Sequence, residues 1–509
     1  MNYGHGAAET IVNPVVLALV LMAGIAIWLL PRRKAIIPFL AMGILIPINQ
    51  IIVVAGLHFP MLRVLVLFGF IRLLGAKLSG KDKIFSGGMN GIDTALIVLA
   101  VFTAVDGVLL WRVWGEVIFQ LGNLYTAFGV YFLLRYLIRD EEDVTRALRV
   151  LACVTVVVAG FMTYEHFTGR NLFYAILGGA RAAALSSATE RAEAFRAMGC
   201  FAHPIIAGTF GGFMAPLFIG WWRRDRRDRT FASLGAAASA VIPFAVGSST
   251  ALFALVAGVS VLCVWPLRRR MQMIRWGIAG MIVSLNIVMK APVWQLIGRV
   301  GLVGGSSSWH RYELINQCIL HFWNWALMGT KNFGSWGWEM WDLANQYVAT
   351  ADTAGLVPLI AFVALIVFGF KYVGKARQYY EGDRQREFFM WAIGSSLFAN
   401  VVAFFGIGYW DQIIVPWYGL LAMISAVSLA ARTPQLEPEE AAIPNSKSGL
   451  HSWSGTAPVR GHISIWLGHG DPRDPKGRSI RPVPGTQEGF REKRAYPGTL
   501  SRPRSGEGA

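Results

Sequence analysis

Apolar residues in this chain fall in long runs, without the strict alternation of a half-buried strand or the single stripe of a surface helix. The runs lie near 11–30, 35–55, 57–76, 93–112, 116–138, 146–165 and 204–222, then near 231–247, 249–266, 275–290, 353–370, 388–406 and 412–431. About 20 apolar residues in helix cross the hydrocarbon core of a bilayer, and shorter runs manage by tilt or local thinning. Gly and Pro within them are tolerated where neighbouring helices satisfy the freed backbone groups. The pattern predicts an all-α, polytopic membrane protein with 12–13 transmembrane helices, the lower count applying if the Arg63- and Arg72-bearing run at 57–76 does not cross. The first run has no basic stretch ahead of it, which reads as a retained span and not a cleaved signal.

Basic clusters punctuate the runs: Arg32-Arg33-Lys34, Lys77/Lys81/Lys83, Arg139/Arg146/Arg149, Arg223 to Arg229, Arg268-Arg269-Arg270 and Lys371/Lys375/Arg377. Placing them all in the cytoplasm, as the positive-inside bias requires, gives an outer N-terminus, thirteen crossings and a cytoplasmic C-terminus. Two segments then project outward, at about 166–203 and 291–352. Loops this long usually have a task of their own. The second is a large periplasmic loop, expected to carry short helices. Its tryptophans (Trp294, Trp309, Trp323, Trp325, Trp336, Trp338, Trp341) favour the headgroup level, with sugar stacking as the alternative use.

From residue 432 the chain turns rich in Pro, Gly, Ser and Arg and loses all periodicity. It is expected to be a disordered, basic cytoplasmic tail, 432–509, following a membrane domain over 1–431. Its cations suit anionic lipid.

Composition narrows the class. Only 15% of residues are charged, 54% are hydrophobic, and the mean hydropathy is +0.47. Soluble domains carry about 25% charged residues, so a soluble multidomain enzyme is excluded. The net charge of +17 is spread in short clusters and forms no face or arm, which argues against nucleic acid. Cys153, Cys200, Cys263 and Cys318 have neither metal-ligand nor disulfide-framework spacing. Cys200 and Cys318 both fall on the outer side, where pairing is open to them but reduced packing thiols are expected. No metal or cofactor is implied by these residues.

Candidate chemistry lies in the outer segments. The first ends Glu190-Arg191-Ala192-Glu193-Ala194-Phe195-Arg196, followed by Gly199 and His203-Pro204. The second holds Trp309-His310-Arg311, Glu313, Glu339, Asp342 and Asn345-Gln346-Tyr347. An outer arginine opposes the topological bias, and guanidinium grips phosphate oxygens in pairs. Arg196 and Arg311 are therefore candidates for holding a lipid-linked pyrophosphate, against the alternative of pairing with a nearby Glu or a headgroup. Arg63, near the outer start of its span, is a weaker third that can instead snorkel. His203 before Pro204 reads as a helix-start signal, Asp93 as an N-cap, and Asp106 has no assigned role.

These residues resemble the O-antigen ligase and polysaccharide polymerase family of bacterial inner-membrane glycosyltransferases. The likeness spans about 150–430 and rests on Arg196…Gly199-Cys200-Phe201…His203-Pro204, the Ser-rich turn Gly247-Ser248-Ser249-Thr250, Arg311…Leu327-Met328-Gly329, and Asn345-Gln346-Tyr347…Ala354-Gly355-Leu356. Ala291-Pro292-Val293-Trp294 and Gly304-Gly305-Ser306-Ser307 look like the exopolysaccharide-polymerase-like members. Two positions depart from it: Ala344 stands where ligases commonly have His, and Ser249 where an arginine often follows the Ser. The departures favour a polymerase-type member.

What the resemblance implies is metal-independent, inverting, GT-C-like transfer of a glycan from an undecaprenyl-pyrophosphate-linked oligosaccharide to a glycan acceptor, at the outer face, in O-antigen or exopolysaccharide assembly. Arg196 and Arg311 would stabilise the leaving pyrophosphate, with Asp342 and Glu313 ranked ahead of Glu339 and His310 as general base. Arg63, His310, Asn345, Tyr347 and Ser249 are assigned to substrate binding. Membrane lipid and other polysaccharide export or assembly proteins are the remaining partners. A secondary transporter or flippase of lipid-linked sugars is the main alternative, although no internal repeat between the halves supports it. A non-catalytic docking role for the outer loop is a third.

Overall fold

The computed structural model describes residues 10–432, apart from 48–49, 55, 81–84, 179–189, 192–193 and 300–307. The chain divides into Met1–Leu436 and Glu437–Ala509. Everything below concerns the first unit, and the expected disorder of the tail lies outside the described residues.

Each of the thirteen apolar runs contains a helix. The first six are α1 (Pro14–Leu29), α2 (Arg32–Leu45), α3 (Met61–Leu78), α4 (Gly91–Trp111), α5 (Trp114–Leu137) and α6 (Glu141–Thr168). After the short α7 (Leu172–Leu177) come α8 (Pro204–Arg224), α9 (Arg229–Val246), α10 (Ser249–Cys263) and α11 (Met271–Val288). Four small helices follow: α12 (Gln295–Arg299), α13 (Ser308–Leu320), α14 (Phe322–Trp325) and α15 (Gln346–Ala354). Then come α16 (Leu356–Tyr379), α17 (Arg384–Ala403), α18 (Ile414–Val427) and α19 (Leu429–Arg432). Among the described residues seven helices are long and apolar enough to cross a membrane: α4, α5, α6, α8, α9, α16 and Trp265–Val288, which ends in α11. This is the architecture of a multi-pass helical membrane protein.

Two local expectations are corrected. The run at 35–55 is not one helix: α2 stops at Leu45, two residues before Pro47, and Ile51–Val54 (β1) pairs antiparallel with Leu57–Pro60 (β2). The β-branched run favours an extended chain, and Gly56 supplies the positive φ of 77° in the turn. Asp93 is not an N-cap either. Asn90 caps α4 and Asp93 closes the capping box from N3, a reciprocal arrangement that satisfies two helix-end donors.

Among the described residues the basic clusters gather at one end of the bundle, several of their arginines held by carboxylates that the same end supplies; Lys81 and Lys83 lie outside those residues. Arg32 and Arg146 both pair with buried Asp143, Arg224 with Glu141, and Arg268 and Arg377 with Glu387. Arg149 meets Asp228 in a two-bond fork of 2.8 and 2.7 Å. Deeper in, Arg135 and Asp93 form a fully buried pair, with the Tyr131 hydroxyl donating to the same carboxylate. The opposite end holds the start of α1, where Asn13 N–H donates to Gln50, together with the β1–β2 hairpin and α12 to α15.

At that opposite end, α13, α14 and α15 share a small core of Leu314, Cys318, Trp325, Met340, Val348 and Ala351. The segment thus carries the expected short helices, with Trp309, Trp323, Trp338 and Trp341 exposed on it and Trp325 buried, its indole N–H donating to Cys318 O. All four cysteines are free thiols.

Candidate functional site

A cavity of about 680 Å³ runs from the hairpin end into the bundle. Its side walls come from α2, α3, α4, α5 and α16, including Met42, Leu62, Leu96, Leu99, Phe362 and Leu365. Its polar end is lined by α15 and by the turn between α17 and α18, which contribute Gln346, Thr350, Thr353, Phe404, Tyr409, Asp411 and Gln412. Exposed Phe119, Trp410 and Thr353 also line it, so the cavity reaches the surface. An apolar shaft with a few polar groups at one end is the usual form of a site for an amphiphile.

One arginine lines this space. Arg63 is half-buried in the first turn of α3, where its Nε donates to Thr126 Oγ1 at 3.1 Å and a terminal nitrogen to His58 O at 3.2 Å. Gly122 makes room for it: a Cβ there would lie 2.5 Å from the guanidinium. Facing the same cavity is Asp411, whose Oδ2 is buried and has no hydrogen-bond partner. It sits in a left-handed conformation, φ 55°, which few residues other than Gly adopt. Its turn is pinned on both sides. Tyr409 N–H donates to Gln346 Oε1 at 2.6 Å, and the Gln412 amide donates to Cys200 O at 2.6 Å and Ile46 O at 2.9 Å.

Of the residues assigned a catalytic or substrate-binding role from sequence, only Arg63 lines this cavity. Arg196 is buried at the α8–α9–α10 corner, with its Nε donating to Val246 O, the last carbonyl of α9, at 3.1 Å. Ser249 begins α10 just beyond and is buried. The segment after Arg196 is fixed by Glu165, a buried carboxylate on α6 that accepts from Met198 N–H and Gly199 N–H. Gly199 holds φ 60° there. His203 caps α8 through Nδ1, accepting from Ile205 N–H. Burial, and the Arg196 charge beside it, hold that imidazole down to about 4, so it stays neutral and able to accept.

Arg311 is buried on α13, which packs on α15, a helix that lines the cavity's polar end. Glu313 on the same helix accepts from Gln317 at 2.6 Å, and His310 bonds Glu339 O. Asp342 is exposed in the connection before α15. Asn345 is fully buried as the α15 N-cap, its Oδ1 accepting from Tyr347 and Val348 N–H. Tyr347 packs against Phe362, Phe404 and Phe405 and donates to Val401 O. Asn345 and Tyr347 therefore tie α15 to the end of α17 and do not line the cavity. Glu313 and Asp342 likewise lie away from the cavity lining.

Sequence reasoning passed over three carboxylates. Glu165 sits one turn from a helix end and reads as an ordinary outer residue. Asp411 was hidden between apolar runs, with only Trp410 and Gln412 as polar-aromatic neighbours to mark it. Asp352, fully buried in α15 against Cys318, has an oxygen without a hydrogen-bond partner, and burial pushes its carboxyl up to about 7. No protein-family model matches the chain, and no curated protein matches it.

Proposed function

We propose that this protein is an integral-membrane glycosyltransferase of polysaccharide-polymerase or ligase type, moving a glycan from undecaprenyl pyrophosphate to a sugar hydroxyl at the outer face of a bacterial inner membrane. The observation that carries the reading is the cavity's composition. An apolar shaft among the helices suits a polyprenyl chain, and Arg63 at its polar end suits the pyrophosphate. A guanidinium there strengthens its hold as charge develops on the leaving group, which lowers the barrier by binding the transition state better than the ground state. Arg196, four residues before the Cys200 carbonyl that Gln412 grips, and Arg311, on the helix packed against α15, are second contributors to the field that an anion meets. In this reading all thirteen helices cross the membrane, the basic end faces the cytoplasm, and α12 to α15 form the periplasmic layer.

A second reading, transport of a lipid-linked sugar, is favoured by one feature: most of the cavity wall comes from helices and not from outer loops. One experiment separates the two. The protein, reconstituted in lipid, is given undecaprenyl-pyrophosphate-linked oligosaccharide, and release of undecaprenyl pyrophosphate and chain lengthening are followed for wild type, Arg63→Lys, Arg196→Ala and Arg311→Ala. Turnover by wild type, with Arg63→Lys the most impaired because a single ammonium cannot grip two oxygens, supports the transferase. Movement of the intact donor across the bilayer without release of pyrophosphate overturns it in favour of the transporter.

A further inference from the structure

The transfer needs a proton acceptor, because the attacking hydroxyl loses its proton as the new glycosidic bond forms. A general base must reach that hydroxyl at hydrogen-bond distance, and geometry ranks candidates before acidity does. Asp342 is exposed and outside the cavity lining, and Glu313 accepts from Gln317 and is likewise outside it. The carboxylates that do face the interior are few. Asp106 lies in α4 but outside the lining, and Asp352 points to the other side of α15, towards Cys318. Among the described residues, Asp411 is the one carboxylate that lines the cavity.

We infer that Asp411 is the general base of the transfer, taking the proton of an acceptor-sugar hydroxyl that enters the cavity at its polar end, where Trp410 and Thr353 reach the surface. The inference rests on the glycosyltransferase reading above. Four observations carry it. Asp411 lines the same cavity as Arg63. Its Oδ2 is buried and has no hydrogen-bond partner among the described residues, so no donor there competes for that carboxylate oxygen. Its backbone is held in an uncommon left-handed conformation, a feature that recurs where a side chain must be aimed. Both neighbours of the turn are fixed, through Tyr409 to Gln346 and through Gln412 to Cys200 and Ile46, so the carboxylate is carried on a rigid support.

The neighbourhood also suits a sugar. Thr350 and Thr353 donate their hydroxyl protons within α15 and keep oxygens that accept, and half-exposed Trp410 offers an aromatic face for the C–H side of a ring. In the step itself, the hydroxyl oxygen bonds to the anomeric carbon while the bond from that carbon to the pyrophosphate oxygen breaks. The bonding electrons leave with undecaprenyl pyrophosphate, whose charge Arg63 meets, and the hydroxyl proton passes to Asp411. Loss of that proton to water restores the carboxylate.

The test uses the full chain in lipid, with undecaprenyl pyrophosphate as the binding probe and undecaprenyl-pyrophosphate-linked oligosaccharide for turnover. Asp411→Asn is expected to lower turnover by about 10²- to 10⁴-fold while binding undecaprenyl pyrophosphate at least as tightly as wild type, since a negative charge has gone. Arg63→Ala should instead weaken that binding. Wild-type kcat/KM should rise with pH, Asp411→Asn should be flat, and Asp411→Glu should keep a rise with a displaced midpoint. If wild type turns over and Asp411→Asn matches it in rate and pH profile, the assignment is overturned and the transferase stands. If wild type never releases undecaprenyl pyrophosphate, the transferase reading falls, and this inference with it. Should Asp411→Asn fail to fold, Asp411→Glu decides: a displaced midpoint supports the base, and a wild-type profile overturns it.

Discussion

Gly329 and Gly355 interlock beside α15, at the polar end of the cavity. A Cβ on Gly329 would lie 2.7–2.8 Å from the backbone of Asp352 and Thr353, and one on Gly355 would lie 3.0 Å from the backbone of Leu327 and Met328. Both have positive φ, 83° and 88°, and two backbone bonds flank them, Thr330 N–H to Asp352 O and Leu356 N–H to Ala326 O. The connection after α14 is thereby clamped to the end of α15, whose other face lines the cavity.

Gly329→Ala and Gly355→Ala should each loosen this clamp. A left-handed alanine costs about 1–2 kcal/mol and the overpacking about 1–3 more. The check is maleimide labelling of buried Cys318, which should quicken in both variants. An unchanged rate with an unchanged melting temperature would mean the two segments are not held together here.

Asp352 makes the same region sensitive to pH. Its folded-state value of about 7 lies above the ordinary carboxylate value of 3.8, so the folded form keeps a proton that the unfolded chain gives up. Stability should therefore fall as pH rises from about 4 to about 7 and level off above, by at most about 4 kcal/mol. Asp352→Asn should remove that slope and raise the melting temperature at pH 8. Melting curves at pH 5 and pH 8 for both proteins decide it.

At the basic end, Asp93→Ala strands the fully buried Arg135 guanidinium and should cost about 3–5 kcal/mol, enough to abolish accumulation of folded protein. Replacing both, as Asp93→Asn with Arg135→Met, should recover much of that loss. A double variant no better than Asp93→Ala would show that Asp93 acts chiefly through Tyr131 and the α4 cap.

Gly122→Ala places a methyl against the Arg63 guanidinium without touching any backbone. The flexible side chain should yield, so melting should change little while affinity for undecaprenyl pyrophosphate drops about tenfold, the equivalent of about 1.4 kcal/mol. Equal binding by the variant and wild type would remove Arg63 from the phosphate site.

Sidedness is tested directly by cysteines at two exposed positions, Lys331 and Arg226, which lie at opposite ends of the bundle. An impermeant reagent added outside intact cells should label the first and leave the second. Labelling of both, or of neither, would break the thirteen-crossing topology.

Some of this protein was legible in its sequence because the physics involved is local. Long apolar runs leave a chain little choice but helix in lipid, so each of the thirteen runs carries a helix, and basic clusters between alternate runs must share one end once the helices pack. His203-Pro204 announced a helix start that the structure shows, capped by the imidazole. The hairpin at 51–60 was missed because a run of Ile and Val reads alike as strand or span, and only the turn at Gly56 and the pairing with Leu57–Pro60 separate them.

The site was another matter. Asp411 and Arg63 are nearly 350 residues apart, and nothing along the chain tells which isolated charges will face one space. Asn345 and Tyr347 stood out as a motif, but packing turned them into a cap and an aromatic wedge. The sequence alone determined the helices, their punctuation and the sorting of charge to one end, since hydrophobic length and local charge act without reference to distant residues. The tertiary structure alone decided where the cavity opens and which carboxylate lines it, since burial and facing depend on helices meeting across the whole chain.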